Sequence, residues 1–390
     1  MTRRCALFAT LAAAAMLVLA ACGGSAGSGG GNSDPIKVGA WIPLSGAIAA
    51  TGEPVRTGTD VFFKQLAANG GIDGRTVEWI AQDNAYDPQQ TVRVARELVG
   101  RDGVVAILGS LGTAQTEAAF PYVLEQQKVP VVGNYGGTAA WYDPPRPGLF
   151  GFQTPYEEQA AVLGRWAAED GAGSVLVVHS DPAAYANVAN SVAKGAPTGT
   201  TVDTLPVRIG TTDYAPVLAE VKKRAPAAVV LIMPVDEASA YLKERALQNV
   251  IAPTYGYSVH AANALLDLAG PAAEGYHTLS WVRPPTSDDP AVVEYRTALE
   301  TYAPGQKPDF PSLLMYGAAK AFGQIVGTID GPVTAESVTA AYERASAVET
   351  GILPPLTFGP QQHLGTHEVL RLIVRGGEFA TQGDFVSAQG

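Results

Sequence analysis

From Ile36 onward the chain alternates short apolar runs with stretches in which apolar residues recur every three to four positions. The runs at 36–42, 76–81, 104–108 and 129–132 read as strands. The run 104–108 shows no polar alternation, which predicts a strand covered on both faces, as in a doubly wound sheet. Between the first two runs, Val55, Phe62, Phe63 and Leu66 share one helical face, with Pro54 in the first turn and Gly70 and Gly71 as the stop. Asp87 and Pro88 open the next helix, which turns Val92, Ala95, Leu98 and Val99 inward. A second series follows Phe152, with strands at 175–178, 227–233, 254–257 and 276–281 separated by helical segments. Long helices come next at 290–302 and 311–329, the latter carrying Leu314, Ala318, Phe322, Ile325 and Ile329 on one stripe. Apolar strands are expected near Leu356 and at 369–374. Such alternation predicts an α/β fold assembled from βαβ units.

The N-terminus has a different character. Arg3 and Arg4 precede an almost unbroken apolar run at 5–21 that ends in small residues, the pattern of a secretory signal peptide. Leu19, Ala20, Ala21 and Cys22 resemble the lipobox of bacterial lipoproteins, which implies cleavage before Cys22 and its lipidation; the alternative is a plain signal peptide with an incidental cysteine. The Gly- and Ser-rich stretch after it would serve as a flexible tether. Residues 1–21 are therefore expected to be a signal peptide and 22–35 a lipidated cysteine with its tether.

Cys5 and Cys22 are the only cysteines, so the exported chain is expected to hold no internal disulfide and to depend on its core. Roughly 350 residues remain, beyond the size at which a single core stops growing, and two domains are expected. The formal net charge of −11 argues against a nucleic-acid partner. No second apolar stretch reaches membrane-spanning length, so the body is expected to be soluble and tied by its lipid to the outer face of the cytoplasmic membrane.

The segments Ile36-Lys37-Val38-Gly39, Pro43-Leu44-Ser45-Gly46, Asn69-Gly70-Gly71-Ile72-Asp73-Gly74-Arg75, Asp83 with Asp87-Pro88, and Ile107-Leu108-Gly109 occur in a telling order and spacing. They resemble the leucine/isoleucine/valine-type solute-binding proteins of ABC transporters, which have the type I periplasmic-binding fold. The likeness runs from Ile36 to about Val374. It implies two Rossmann-like lobes joined by three crossovers, near 150–154, 279–283 and 353–358. The lobes would comprise 36–152 with 283–354, and 153–282 with 355–390. It also implies a monomer that takes a small-molecule ligand and partners an ABC permease, with no cofactor. A ligand-sensing receptor subunit of the same fold, without a transport role, is the alternative.

In open α/β sheets ligands lie beyond the carboxyl ends of the strands. The segment 109–116 is such a place: backbone N–H groups and the Thr113 hydroxyl can hold a carboxylate, and Gly112 permits close approach. The resemblance assigns the ligand carboxylate to Thr113, which could equally be a helix N-cap. It extends the set to Ala114, Gly136, Thr51 and Thr138, with the register of 133–138 open by one residue. Tyr135 either lines the pocket edge or packs an exposed loop, and Tyr185 matches a tyrosine that closes over the ligand. The family's acidic residue for an ammonium group falls at Ser258 and its accompanying tyrosine at Pro234, so neither is kept, although Asp236 or Glu237 could substitute for the acid. An ammonium without an opposing charge is costly to bury, which favours a carboxylic acid lacking an amine, with Trp41 and Trp281 as further aromatic candidates that could instead be core.

Catalytic and metal chemistry find little footing. The Gly23–Gly27 match to a nucleophile elbow lies in the tether. His363 and His367 are spaced for metal ligation on a helix, but Gly365 between them points to a turn. No phosphate loop or dinucleotide fingerprint follows any expected strand, so the chain is expected not to be an enzyme.

Overall fold

In the computed structural model, which describes residues 34–46 and 48–389, strand β1 (Ile36–Ile42) has every residue but Lys37 buried. The signal, Cys22 and nearly all of the tether lie outside the described residues. A strand buries both faces only when helices cover both. Its sheet also contains β2 (Val77–Asp83), β3 (Ala106–Leu108), β4 (Val131–Val132) and β5 (Leu149–Phe150). All pairings are parallel in the order β2-β1-β3-β4-β5. The connecting helices are α1 (Ala49–Ala68), α2 (Pro88–Arg96) and α3 (Thr113–Phe120).

The chain then enters a second sheet through α4 (Tyr156–Glu169). Here β6 (Ser174–Ser180), β7 (Thr201–Val207), β8 (Ala228–Ile232), β9 (Thr254–Gly256) and β10 (His277–Ser280) run parallel in the order β7-β6-β8-β9-β10, which repeats the winding of the first sheet. Helices α5 (Ala183–Gly195), α6 (Ala215–Arg224), α7 (Val235–Leu247) and α8 (Asn263–Ala269) connect them. Helices α9 (Pro290–Tyr302), α10 (Phe310–Val326) and α11 (Ala335–Tyr342) follow, with α9 and α10 packed on α1. The antiparallel strands β11 (Glu368–Arg375), β12 (Glu378–Thr381) and β13 (Val386–Ser387) complete the second sheet.

Three passages join the sheets, at 151–155, 281–289 and 343–367. The third differs from the expectation at 353–358: Leu356 pairs with Val348, and the Phe358 ring lies 5.8 Å from Phe150 of β5. Those apolar residues bury themselves against the first sheet, and the chain reaches β11 only at Glu368. For the same reason no strand forms at Leu356, which makes a single isolated bridge. Helix α1 also begins at Ala49 and places Pro54 in its interior rather than its first turn. Gly52 there approaches the Pro43 carbonyl so closely that no Cβ would fit.

Candidate functional site

Each parallel strand delivers its following loop to the carboxyl edge of its sheet. In the first sheet, α3 begins just beyond β3, with Gly112 as N-cap at φ 109°. Its N–H donates to the Tyr135 carbonyl at 3.1 Å, which ties the loop after β3 to the loop after β4. Thr113 is thus the first helical residue and not the cap, and its hydroxyl has no hydrogen-bond partner among the described residues. Ala114 beside it is exposed. Gln115 donates from Nε2 to the Tyr86 carbonyl at 2.7 Å, while its buried Oε1 has no partner.

The loop after β4 places Gly136 and Thr138 differently. Gly136, at φ 110°, faces Thr113: a Cβ there would stand 3.2 Å from Thr113 Oγ1 and 3.5 Å from the Tyr156 hydroxyl. Thr138 turns away, donating its hydroxyl to Glu157 Oε1, whose Oε2 accepts the Ala139 N–H at 3.1 Å. Tyr135 is only 5% exposed and sets its ring edge-on to Trp281 at 5.6 Å, so it does not pack an exposed loop.

Trp41 belongs to the core. It is fully buried, and its indole N–H donates to Thr116 Oγ1 at 3.0 Å. Of the two readings open for Trp41 in the sequence, core and pocket, the core position holds, since burial against a core and burial against a ligand look alike in sequence. Thr51 lies partly buried in the first turn of α1.

In the second sheet, Tyr185 follows β6 and Pro234 caps α7 after β8, both partly buried. Ser258 follows β9; it is buried, its N–H donates to Gln159 Oε1 at 3.0 Å, and its hydroxyl has no partner. Trp281 follows β10 and donates from Nε1 to the Thr154 carbonyl at 3.1 Å, so the first two passages are pinned together. Glu237 is buried, with Oε2 accepting from the hydroxyls of Ser180 (2.9 Å) and Tyr214 (3.3 Å) and Oε1 from the Gly210 N–H (2.7 Å). Asp236 is exposed in the first turn of α7.

Two aromatic residues went unnoticed in the sequence. The Tyr156 ring, at the start of α4, lies 5.2 Å from Tyr257 and 6.0 Å from Trp281. Tyr86, after β2 at φ 57°, lies near enough to Tyr156, Tyr185 and Tyr257 to bear on their ionisation. A helix start directly after Pro155 was a signal for Tyr156, but an aromatic residue in a first turn reads as core. The phenols of Tyr135, Tyr156, Tyr185 and Tyr257 are protonated at neutral pH like any tyrosine, and burial pushes their pKa values further upward, so they act as hydrogen-bond donors.

The edge thus combines an uncapped helix N-terminus, suited to an anion, with tyrosine and tryptophan rings suited to an apolar or aromatic body. His363 and His367 do not meet: their Nδ1 atoms bond the Arg146 carbonyl and the Glu158 carboxylate, each at 2.7 Å. No group of potential metal ligands occurs among the described residues, and no helix there is long and apolar enough to cross a membrane.

Comparison with known proteins agrees with this architecture. A Leu/Ile/Val-binding protein homolog 2 from Brucella abortus (strain 2308) is 27% identical over 260 residues, covering 65% of this chain and 68% of the relative. A branched chain amino acid ABC transporter from Thermus thermophilus with bound valine superposes with a TM-score of 0.80 at 18% identity, over 91% of this chain and 96% of that one. The R. palustris solute binding protein in complex with benzoate gives a TM-score of 0.78 at 18% identity, over 90% and 98%. The periplasmic binding protein family matches residues 35–377, and with two doubly wound sheets whose carboxyl edges carry the candidate residues, the chain belongs to that family.

Proposed function

We propose that this protein is the exported, lipid-anchored solute-binding component of an ABC importer and that it binds a small carboxylate-bearing solute between two lobes, 36–152 with 283–354 and 153–282 with 355–390. The observation that carries the reading is the α3 N-terminus, where Gly112 caps without a side chain and the Thr113 hydroxyl is left without an internal partner. Charge-assisted hydrogen bonds to such groups contribute about 1.5–3 kcal/mol each. A relative with bound valine and one with bound benzoate both present acids, which supports the same class for this chain.

Two features favour an acid without an ammonium group. Ser258, where the family resemblance places an acidic residue, offers only a hydroxyl, and the Glu237 carboxylate already takes three donors. An ammonium would lose its hydration there with no unengaged buried carboxylate at Ser258 or Glu237 to replace it, and Asp236 beside Tyr185 is exposed to water, which weakens any pairing it offers. The rings of Tyr135, Tyr156, Tyr185 and Trp281 suit an aromatic or aliphatic body.

A thermal-shift and calorimetric screen of benzoate, phenylacetate and hexanoate against leucine, isoleucine and valine tests the class. An acid from the first group should stabilise the protein more than any amino acid, and Thr113→Ala should weaken its binding about tenfold. Strong stabilisation by an amino acid alone would refute the preference for an amine-free acid. For the anchor, Cys22→Ser should move the protein from the membrane fraction to the soluble fraction; a chain that stays on the membrane would contradict lipidation at Cys22.

A further inference from the structure

Gly136 marks a small space on which three donors from two elements converge. A Cβ built there would lie 3.2 Å from Thr113 Oγ1, 3.6 Å from Thr113 N and 3.5 Å from the Tyr156 hydroxyl oxygen. Thr113 opens α3, beyond the first sheet, and Tyr156 opens α4, which leads into the second. The backbone at Gly136 has φ 110°, a conformation that side-chain-bearing residues rarely adopt, so the space is kept clear of protein atoms. Thr113 and Tyr156 are both partly buried, and neither hydroxyl bonds another side chain or backbone group among the described residues. The same helix end also carries an unmet acceptor, Gln115 Oε1, on a residue 5% exposed and placed where a Cβ of Gly112 would collide with it; it is open to a donor on a solute and not to the carboxylate itself.

We propose that Tyr156 is a ligand-binding residue that donates its hydroxyl hydrogen to the carboxylate of the solute, completing from the α4 side a cradle begun by the Thr113 N–H and hydroxyl. This rests on the carboxylate reading above and adds a residue to it. The ring is held between Tyr257 and Trp281 at 5.2 and 6.0 Å, so the hydroxyl is aimed before the solute arrives and little rotamer freedom is lost on binding. The phenol is protonated at neutral pH, as tyrosine ordinarily is, and burial pushes its pKa further up, which leaves it a donor that an anion can use. A phenol cannot compensate a full charge alone, but beside a helix N-terminus it adds a short, desolvated contact to the anion. The role also explains why a tyrosine and not a phenylalanine occupies a first-turn position with no internal use for the hydroxyl.

The test compares Tyr156→Phe with the wild type, by calorimetry, on whichever of benzoate, phenylacetate, hexanoate and leucine binds most tightly and on the matching primary amide. The expected result is about tenfold weaker binding of the acid by Tyr156→Phe, a smaller acid-over-amide ratio, and an unchanged melting temperature without solute. The ratio is independent of the fraction of folded protein, so partial misfolding would not imitate the effect. Equal acid affinity and equal ratio in Tyr156→Phe, with Thr113→Ala weakened, would overturn the role of Tyr156 and leave the carboxylate reading standing. A wild type that binds none of the four acids, or binds the amide as well as the acid, would overturn both.

Discussion

His260 and Asp309 are buried polar residues whose titrations oppose each other. His260 accepts from the Tyr276 hydroxyl at Nδ1 (2.6 Å), and its Nε2–H donates to the Met233 carbonyl (2.9 Å), an acceptor that requires the proton on Nε2. Burial lowers its pKa from 6.5 to about 4, so the unfolded chain takes up the proton first, and stability is lost as pH falls from 6.5 toward 4. Asp309 accepts the N–H groups of Phe310 at 2.8 Å and Asn263 at 2.9 Å, yet burial pushes its carboxyl up from 3.8 to about 6. The folded chain protonates first in this case, so stability is gained as pH falls from 6 toward 3.8. Each shift corresponds to roughly 3 kcal/mol. Denaturant titrations of Asp309→Asn should therefore show a steeper loss of stability between pH 6 and 4 than the wild type; parallel pH profiles would show that Asp309 is not titrating there. A nearby glycine is equally constrained: a Cβ at Gly256 would collide with the Tyr276 hydroxyl and His260 Nδ1. Gly256→Ala should cost about 1–3 kcal/mol in chemical denaturation, because the buried pair must move or lose its hydrogen bond. Neither polar residue stood out in the sequence, since what buries His260 and Asp309 comes from distant parts of the chain.

At the scale of elements, close helix contacts rest on small residues. Helix α1 crosses α10 where Gly58 meets the Ser312 carbonyl, and α4 crosses α5 where Gly164 meets the Val192 carbonyl, in both cases without room for a Cβ. Alanine at Gly58 gains helix propensity of about 1 kcal/mol but must push the helices apart. Gly58→Ala should lower the denaturation midpoint; an unchanged or raised midpoint would show that the crossing relaxes freely. Strands such as β8, whose five residues are all buried, were legible as continuous apolar runs. Strand β7 was not, because only Val207 of its seven residues is buried, and Pro206 breaks the pattern where only an edge strand tolerates it. The run around Leu356 misled for the opposite reason: it is buried with Phe358 against Phe150, and Leu356 makes one isolated bridge, to Val348, rather than a strand.

At the scale of the whole molecule, three passages join the sheets, and Trp281 Nε1 bonds the Thr154 carbonyl between two of them. Solute binding that draws the lobes together must gain contacts absent when they are apart, since only a difference in affinity shifts such an equilibrium. Small-angle scattering should therefore show a smaller radius of gyration with a saturating acid than without it, and a radius that does not change would remove closure from the mechanism. The melting temperature should rise with solute concentration, the gain in stability reaching about 2.7 kcal/mol at a hundredfold excess over Kd. Trp281→Phe keeps an apolar ring against Tyr135 but loses the link to Thr154. It should weaken solute binding, and unaltered affinity would confine that indole to packing.

The linear order of residues was enough to establish the α/β class, the pair of sheets, the family resemblance and a loop-to-helix junction within 109–116, because apolar periodicity and turn chemistry are local and repeat along the chain. Only the folded arrangement decided that Trp41 is core, that Thr138 serves Glu157, that Gly136 faces Thr113 and that Tyr86 and Tyr156 join the edge. Those outcomes depend on which loops meet after strands far apart in sequence have paired, and no local pattern encodes that meeting.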